Sequence, residues 1–275
     1  MIPAVLVSAL FFTARAYSVE VDRVDRVAAD QIISQLESNI KLDSKNKPYN
    51  QAEKYWEPTC IEQWGGCNNI GKYRRTYLES ADTISVTYEV SLEESMINAD
   101  PVANKLVLRN STWITQSSTK GWTIGAKLSG TVGKEGKGSV GGEISAQYSD
   151  SNTNEKKETR EVSYEMTCQP HHECRFETWT FHVKATGLCQ WFPMLDCAGE
   201  VAVCDTWPWN ENTCQQFLDV RDQCPAKANR PQELCEVITP LYEAGGKPFS
   251  KVVTVSIPLN GTKRSELGPE YQVIL

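Results

Sequence analysis

The chain has 275 residues, with 28 basic and 35 acidic side chains and a formal net charge of −7. This acidic balance argues against nucleic acid as a partner, because binding to phosphates along a strand requires a basic face. The length suits one elongated domain or two modest ones.

The N-terminus carries the pattern of a secretion signal. An apolar run over residues 2–12 precedes the small-residue site Ala14-Arg15-Ala16, an order typical of a cleaved signal peptide. The run is too short to cross a bilayer, which takes about 20 apolar residues. We therefore predict a signal peptide over residues 1–16 and a secreted, extracellular protein; a buried N-terminal strand is the alternative.

Ten cysteines follow the predicted cleavage point, and an even count in a secreted chain indicates a disulfide framework. They are Cys60, Cys67, Cys168, Cys174, Cys189, Cys197, Cys204, Cys214, Cys224 and Cys235. The short separations of Cys168 from Cys174 and of Cys60 from Cys67 allow two local disulfides, and the spacing leaves the full connectivity open. Asn110 and Asn260 each begin an Asn-X-Thr triplet and are candidate glycosylation sites.

Residues 17–80 divide into a helical part and an aromatic part. Apolar residues recur every four positions from Val24 to Ile40, which predicts one helix with an apolar stripe. From residue 49 to 80, tyrosines and tryptophans alternate with Cys60 and Cys67. This density fits either a small disulfide-tied core or a patch that binds a receptor or a sugar.

Residues 81–188 and 248–275 indicate a β-module, because residues 83–92, 175–185 and 249–257 alternate between two faces with a period of two. The polar stretch 147–163 suits a loop in a compact domain, or a strand with both faces wet in an elongated one. Between the two parts of the module lies a predicted cysteine-rich insertion, residues 189–247. We expect the last strand to rejoin the sheet that the chain leaves near residue 187.

Residues 122–149 form the segment on which the functional argument depends. Two alternating arms of roughly nine residues flank a Gly, Lys and Glu tip, and each arm is as long as a tilted strand that crosses a bilayer. The apolar face comprises Ile124, Ala126, Leu128, Val132, Val140, Ile144 and Ala146. A soluble hairpin with its apolar face on a core shows the same alternation and is the alternative.

The order of features resembles the pore-forming module of aerolysin-like toxins, the family of epsilon-toxin-type and mosquitocidal proteins. A Ser/Thr-rich strand, residues 111–119, leads through Gly121-Trp122 into the hairpin, and a second polar strand, a proline turn at 169–172 and an alternating strand follow. The resemblance covers about residues 81–190 and 248–259. It implies a mainly β, elongated aerolysin-like antiparallel module with a short N-terminal helix and a cysteine-rich insertion.

The same resemblance implies a toxin-like function. A member of this family is secreted as a soluble monomer, attaches to a target-cell membrane or to a surface glycan or receptor, and assembles as a homo-oligomer. Each subunit then contributes one hairpin to a β-barrel pore. The second hypothesis is a non-lytic, lectin-like protein on the same scaffold, in which Trp191, Trp207 and Trp209 stack on sugar rings or fill a small disulfide core.

Catalytic and metal chemistry have little support in the sequence. The chain has three histidines and no Gly-X-Ser-X-Gly motif, so we expect no enzyme, no cofactor and no catalytic residue. His171-His172-Glu173-Cys174 carries zinc-ligand types, but a secreted chain is expected to use Cys174 in a disulfide. The two adjacent histidines then remain candidates for an acid sensor, because imidazole changes charge near neutral pH.

Overall fold

The computed structural model describes residues 27–115, 121–130, 140–148, 156–209, 213–226, 230–259 and 270–274. Within these ranges the protein is mainly β, with two α-helices, α1 (Val27–Asn39) and α2 (Gln215–Arg221). The strands are β1 (Ile40–Leu42), β2 (Tyr49–Gln51), β3 (Tyr55–Pro58), β4 (Asn69–Asn98), β5 (Asn104–Thr115), β6 (Trp122–Thr123), β7 (Gly125–Gly130), β8 (Val140–Ser145), β9 (Lys156–Cys168), β10 (His172–Asp196), β11 (Glu200–Ala202), β12 (Gln232–Tyr242), β13 (Ser250–Pro258) and β14 (Glu270–Val273). The predicted mainly β fold with a short N-terminal helix is confirmed.

Two very long antiparallel strands form the backbone of the fold. β4 has 30 residues and β10 has 25, and they pair from Asn98 opposite His172 to Gly71 opposite Asp196. At about 3.3 Å per residue, β4 extends for about 100 Å, which makes the molecule elongated as predicted. Both strands run without a break through residues 80–81 and 188–189, where the sequence suggested segment boundaries.

The other edge of β10 is shared by two later strands. β13 pairs with residues 172–180 of β10, and β12 pairs with residues 182–190. The prediction that the last long strand rejoins the sheet is therefore confirmed. β14 adds one more antiparallel strand outside β13.

The main core lies between one face of this sheet and α1. Trp179, Phe181 and Val183 of β10 are fully or almost fully buried, and the ring of Trp179 stacks on that of Tyr88 at 4.9 Å. The helix contributes Ile32 and Leu36 from the stripe that the four-residue spacing predicts. Burial of each such side chain stabilises the fold by about 1.5–3 kcal/mol.

All ten cysteines are paired in five disulfides. The local Cys168–Cys174 bond is present, but a Cys60–Cys67 bond is wrong, because Cys60 bonds Cys214 and Cys67 bonds Cys197. Cys60 and Cys67 lie in the loop between β3 and β4, and this loop packs against the cysteine-rich excursion that follows β10. The remaining disulfides are Cys189–Cys235 and Cys204–Cys224.

The cysteine-rich excursion has a small core of its own. Phe217 of α2 is fully buried there, with Ile70 and Leu195 from the long strands. Trp209 packs edge-on against Phe217 at 4.7 Å and against Trp207 at 5.2 Å. Trp207 and Trp209 therefore contribute to a disulfide-tied core, which is one of the two roles left open by the sequence.

No helix in the described ranges combines the length and the apolar character needed to cross a membrane.

Candidate functional site

The candidate site is the segment between β5 and β9. These two strands form a separate antiparallel sheet whose last pair is Thr115 opposite Lys156. Since those two residues are neighbours, the whole segment between them leaves and returns at one point. We call its described part, residues 121–130 and 140–148, the pendant hairpin. Its arms are β7 and β8, which pair from Gly125 opposite Ser145 to Gly130 opposite Val140.

The apolar face of the pendant hairpin lies in the main core. Ile124, Ala126, Leu128 and Ile144 are each at most 5% exposed. Ala146 is partly buried in a short 3₁₀ helix, and Val132 lies outside the described residues. In this state the segment has the arrangement of a soluble hairpin, with the apolar side on the core.

A cradle formed by α1 and β1 covers that apolar face. Ile32 and Leu36 of α1 and Ile40 of β1 belong to the same buried cluster as Leu128 and Ile144. Gly142 permits the close approach, because a β-carbon there would lie 2.8 Å from Cγ1 of Ile40. The surfaces of the cradle and the hairpin are therefore complementary in shape at this contact.

Few backbone bonds hold the pendant hairpin in place. β8 pairs in parallel with β1 over three residues, β7 pairs in parallel with β12 over two, and β6 pairs antiparallel with β2 over two. Two further bonds run from Asp43 N to the Ile144 carbonyl (2.9 Å) and from Ala146 N to the Asn46 carbonyl (2.8 Å). The hairpin can therefore leave without breaking any pair between β4 and β10.

Apolar burial is the larger part of what holds the hairpin. Ile124, Leu128 and Ile144 together contribute about 5–9 kcal/mol by burial, which is comparable with the whole stability of a typical domain. Release is therefore favourable only where the same surface is buried again, in lipid or against another protein.

The β5–β9 sheet rests on β10 through hydroxyl groups. Ser111 Oγ lies 3.0 Å from Thr178 Oγ1, and Ile114 N donates to Thr180 Oγ1 at 3.2 Å. All three hydroxyl-bearing residues are fully buried. Water can replace such bonds when the surfaces part, so this interface resists separation less than an apolar one of the same area.

His182 continues the same polar face of β10 and is 2% exposed. Burial lowers its pKa to about 4, because the charged imidazolium loses its hydration there. Sequence reasoning assigned acid sensing to His171 and His172 instead. Those two residues lie in the turn closed by Cys168–Cys174, where His171 is exposed and Nδ1 of His172 is 2.8 Å from the Pro170 carbonyl oxygen.

The disulfides remove the cysteine thiolates that a metal site would need. Cys174 is bonded to Cys168, so the His171–Cys174 segment has no thiolate to offer. In the part of the chain that the structure describes, one other group of ligand types comes together, Cys60, Glu62 and Cys214. Its two sulfur atoms form a disulfide with each other.

An exposed aromatic surface lies at the loop between β3 and β4. Tyr55 is 65%, Trp56 52% and Trp64 58% exposed, with Ile61 beside them. The Trp56 ring covers Gly71, where a β-carbon would lie 3.1–3.2 Å from three ring atoms. The core interpretation is therefore wrong for these side chains, and the surface interpretation remains open. The sequence did not predict this exposure, because it depends on the position of Tyr55 and Trp56 on the edge strand β3.

A buried ionic cluster stiffens the sheet beside this surface. Arg75, whose side chain is 10% exposed, donates to Glu200 Oε2 and Gln51 Oε1, each at 2.6 Å. Burial alone would raise the pKa of Glu200, but hydrogen bonds from Lys54, Arg75 and Tyr73 outweigh it and lower the pKa to about 2. The cluster ties β11 to β4 and explains the density of charge and aromatic residues in this part of the sequence.

No protein-family model and no curated protein matches the chain. Among solved structures, it is similar to the Cry23Aa1 and Cry37Aa1 binary protein complex, with 15% identity, 78% of this chain and 92% of that chain covered, and a TM-score of 0.16. It is also similar to parasporin-2, a Bacillus thuringiensis toxin that recognizes cancer cells, with 9% identity, 83% and 91% covered, and a TM-score of 0.21. Likenesses at these TM-scores do not place the chain in a family, so the functional argument depends on its own geometry.

Proposed function

We propose that the protein is a secreted, toxin-like protein that oligomerises on a target membrane and contributes the hairpin 122–149 to a β-barrel pore. The observation that carries this proposal is the pendant arrangement of the hairpin. It is one amphipathic unit that begins and ends beside the last pair of the β5–β9 sheet, and it is held by short pairings with β1, β2 and β12. The framework of β4 and β10 stays intact when it leaves.

The length and the pattern of the hairpin suit a barrel. In the docked state its apolar face is covered by the cradle, and in a barrel the same face would contact lipid. The polar positions between would then face the lumen. β7 and β8 have six residues each in the docked state, and the alternating pattern of the sequence extends each arm to roughly nine, about the 9–11 that a tilted strand needs to cross the bilayer. We expect Ile124, Ala126, Leu128, Val132, Val140, Ile144 and Ala146 to be the lipid-facing positions.

The other parts of the chain have roles in this proposal. Five disulfides suit a protein that acts in an oxidising, extracellular environment. Residues 17–80 and the insertion 189–247 would serve attachment to the target, and Asn110, exposed on β5, would carry a glycan. No catalytic step is part of the proposed action.

The decisive experiment locks the hairpin to its cradle. Lys41 and Glu143 are exposed and directly opposite each other on β1 and β8, so Lys41→Cys with Glu143→Cys places a sixth disulfide across the junction that must open. Val107→Cys with Glu165→Cys is the matched control. It links exposed partners on β5 and β9, two strands that stay paired in the proposal.

Dye release from liposomes and from cells is measured with both oxidised variants and the unmodified protein. We expect release from the control and the unmodified protein, and none from the locked hairpin. Equal release from both locked proteins would refute the pore. A Leu128→Arg variant is a weaker test, because Leu128 is buried and a charge there also disturbs the soluble fold.

The second candidate is a non-lytic, lectin-like protein. The observation that favours it is the exposed aromatic surface of Tyr55, Trp56 and Trp64, since outward-facing rings provide flat surfaces for sugars. In this hypothesis these residues replace Trp207 and Trp209, which fill the disulfide core. Glycan binding that is lost in Trp56→Ala, without leakage from any membrane, would favour this candidate.

A further inference from the structure

Three basic side chains without ion-pair partners line one cleft. Elsewhere in the described ranges, the side chains of Lys41, Lys45, Arg74, Arg109 and Lys157 also have no carboxylate within 4 Å among the described residues, but they do not line this cleft. Nine other Lys and Arg side chains do have one: Lys47, Lys54, Lys72, Arg75, Lys105, Arg175, Lys184, Arg221 and Arg230. Arg160, Lys247 and Lys251 have no such partner among the described residues, and all three belong to the same cleft. In a protein with a net charge of −7, this grouping is unexpected.

The cleft lies between β9 and the turn that joins β12 to β13. Its volume is about 670 Å³, and the hydroxyl-bearing residues Ser163 and Ser250 line it beside the three cations. Two acidic residues, Glu161 and Glu243, also line it, and of these Glu243 affects Lys251 electrostatically. The positive charge of the cleft therefore exceeds its negative charge.

The burial of the basic groups in the cleft wall is only partly offset by charges and hydrogen bonds from the described residues. Burial lowers the pKa of Lys251, and the attraction of Glu243 offsets only part of that effect. Among the described residues, Nε of Arg160 and Nε1 of Trp113 are buried without a hydrogen-bond partner, and the Trp113 ring lies 5.0 Å from the Arg160 guanidinium. An unsatisfied buried donor costs about 1–3 kcal/mol, so the described residues leave part of the donor capacity of Arg160 unused.

We propose that this cleft binds a phosphate group, carried by a small soluble phosphate ester or by a phospholipid headgroup. A guanidinium offers two parallel donors to an oxyanion, and lysines add charge without fixed geometry. Arg160 would supply the paired donors, Lys247 and Lys251 the charge, and the serine hydroxyls further donors. The cleft is several times larger than one phosphate, so it has room for the group to which the phosphate is attached.

Calorimetric titration of the full, oxidised protein with inorganic phosphate and with glycerol 3-phosphate tests the site. Lys251→Met and Arg160→Gln each remove one cation, and Lys247→Gln changes a turn residue that the core does not need. The control is Lys105→Gln, an exposed residue of β5 that is paired with Glu165 and does not line the cleft. We expect each cleft variant to bind at least about fivefold more weakly and the control to bind as the unmodified protein does.

Co-sedimentation with vesicles separates the two sources of phosphate. Vesicles of phosphatidylcholine, with and without phosphatidic acid, are compared with the same variants. Retention that depends on phosphatidic acid and on Lys251 identifies a lipid headgroup, and binding of glycerol 3-phosphate without such retention identifies a soluble ester. Absence of both signals, or equal signals in the unmodified protein and all three cleft variants, would overturn the proposal. The result is independent of leakage, so the pore and the phosphate site can fail separately.

Discussion

Cγ1 of Ile40 lies 2.8 Å from the position that a β-carbon on Gly142 would occupy. Ile40 belongs to the cradle and Gly142 to the pendant hairpin, so the two parts fit closely at this contact. Ile40 is β-branched and its side chain turns with difficulty, so the contact cannot be relieved cheaply. Any side chain at position 142 must push β1 and β8 apart.

Gly142→Ala is therefore expected to loosen the hairpin from its cradle and to lower the free energy of unfolding by about 1–3 kcal/mol. Denaturant unfolding gives the size of the effect, and dye release should begin at a lower protein concentration. Gly141→Ala is the neighbouring control, since its β-carbon would meet the Ser129 hydroxyl, the end of a side chain that can rotate. Equal destabilisation by both substitutions would contradict the assignment.

Gly187→Ala is expected to prevent normal folding. A β-carbon at Gly187 would lie 1.9 Å from the carbonyl oxygen of Ser80, a backbone atom of the paired strand β4. The strand register already shifts at this point, between Thr186 and Gly187. We expect a loss above about 4 kcal/mol, measured as secreted yield and melting temperature, whereas Gly245→Ala faces open space and should behave as the unmodified protein does.

Acid should destabilise the folded protein through His182. Its pKa is about 4 in the folded protein and 6.5 in an exposed reference state. The stability is complete above pH 6.5 and is lost as the pH falls toward 4, by up to about 3 kcal/mol. Denaturant unfolding of the unmodified protein and of His182→Gln across this range measures the effect.

The control for this pH dependence is His171→Asn, which keeps a residue that tolerates the positive φ of 55° at that position. This variant should keep the full pH dependence, whereas His182→Gln should lose most of it. Glu200 adds to the loss only at the acid end of this window, because its pKa is about 2 in the folded protein and 4.5 in an exposed reference state. An unchanged slope in His182→Gln would assign the acid response to other groups.

The hydroxyl pair Ser111–Thr178 should behave as a coupled unit. Ser111→Ala alone leaves the Thr178 hydroxyl buried without this partner, at a cost of about 1–3 kcal/mol. Thr178→Val in the same molecule removes the orphaned group, so the double variant should be more stable than the sum of the two single losses predicts. A double-mutant cycle by chemical denaturation measures this coupling, and strictly additive losses would show that the pair is not formed.

The fold was predictable from the sequence where one face of an element is buried. The alternation over residues 175–185 predicts β10, and the four-residue spacing predicts α1, because burial on one side imposes those periods. The polar stretch 147–163 was ambiguous. Its residues 156–163 lie in strand β9, whose side chains from 157 to 167 are all exposed or half-buried, so hydrophobic periodicity carries little information there.

The features that the sequence did not predict depend on contacts between residues that are far apart in the chain. Cys60 and Cys67 are seven positions apart, yet their partners are 154 and 130 positions away, and spacing alone contains no sign of that. The exposure of Trp56 depends on its position on an edge strand over Gly71. An alternating hairpin fits a protein core and a lipid bilayer equally well, so the sequence cannot say that Leu128 is buried by α1.

The Cys67–Cys197 disulfide lies just beyond one end of the long β4–β10 ladder, since Cys197 directly follows β10 and Cys67 lies two residues before β4. A sliding motion of one strand along the other would have to stretch a covalent bond at that end. At the opposite end, hydrogen bonds rather than a disulfide join β4 to β10 and its preceding turn: the ladder pair Asn98–His172, and bonds from Asn98 Nδ2 to the carbonyl oxygens of Cys168 and Gln169. A pulling force applied there therefore opens the pairs one after another. The two ends of the long strand pair therefore respond differently to force. The end beside the aromatic surface is held by a disulfide and resists shear, whereas the strands separate progressively from the other end.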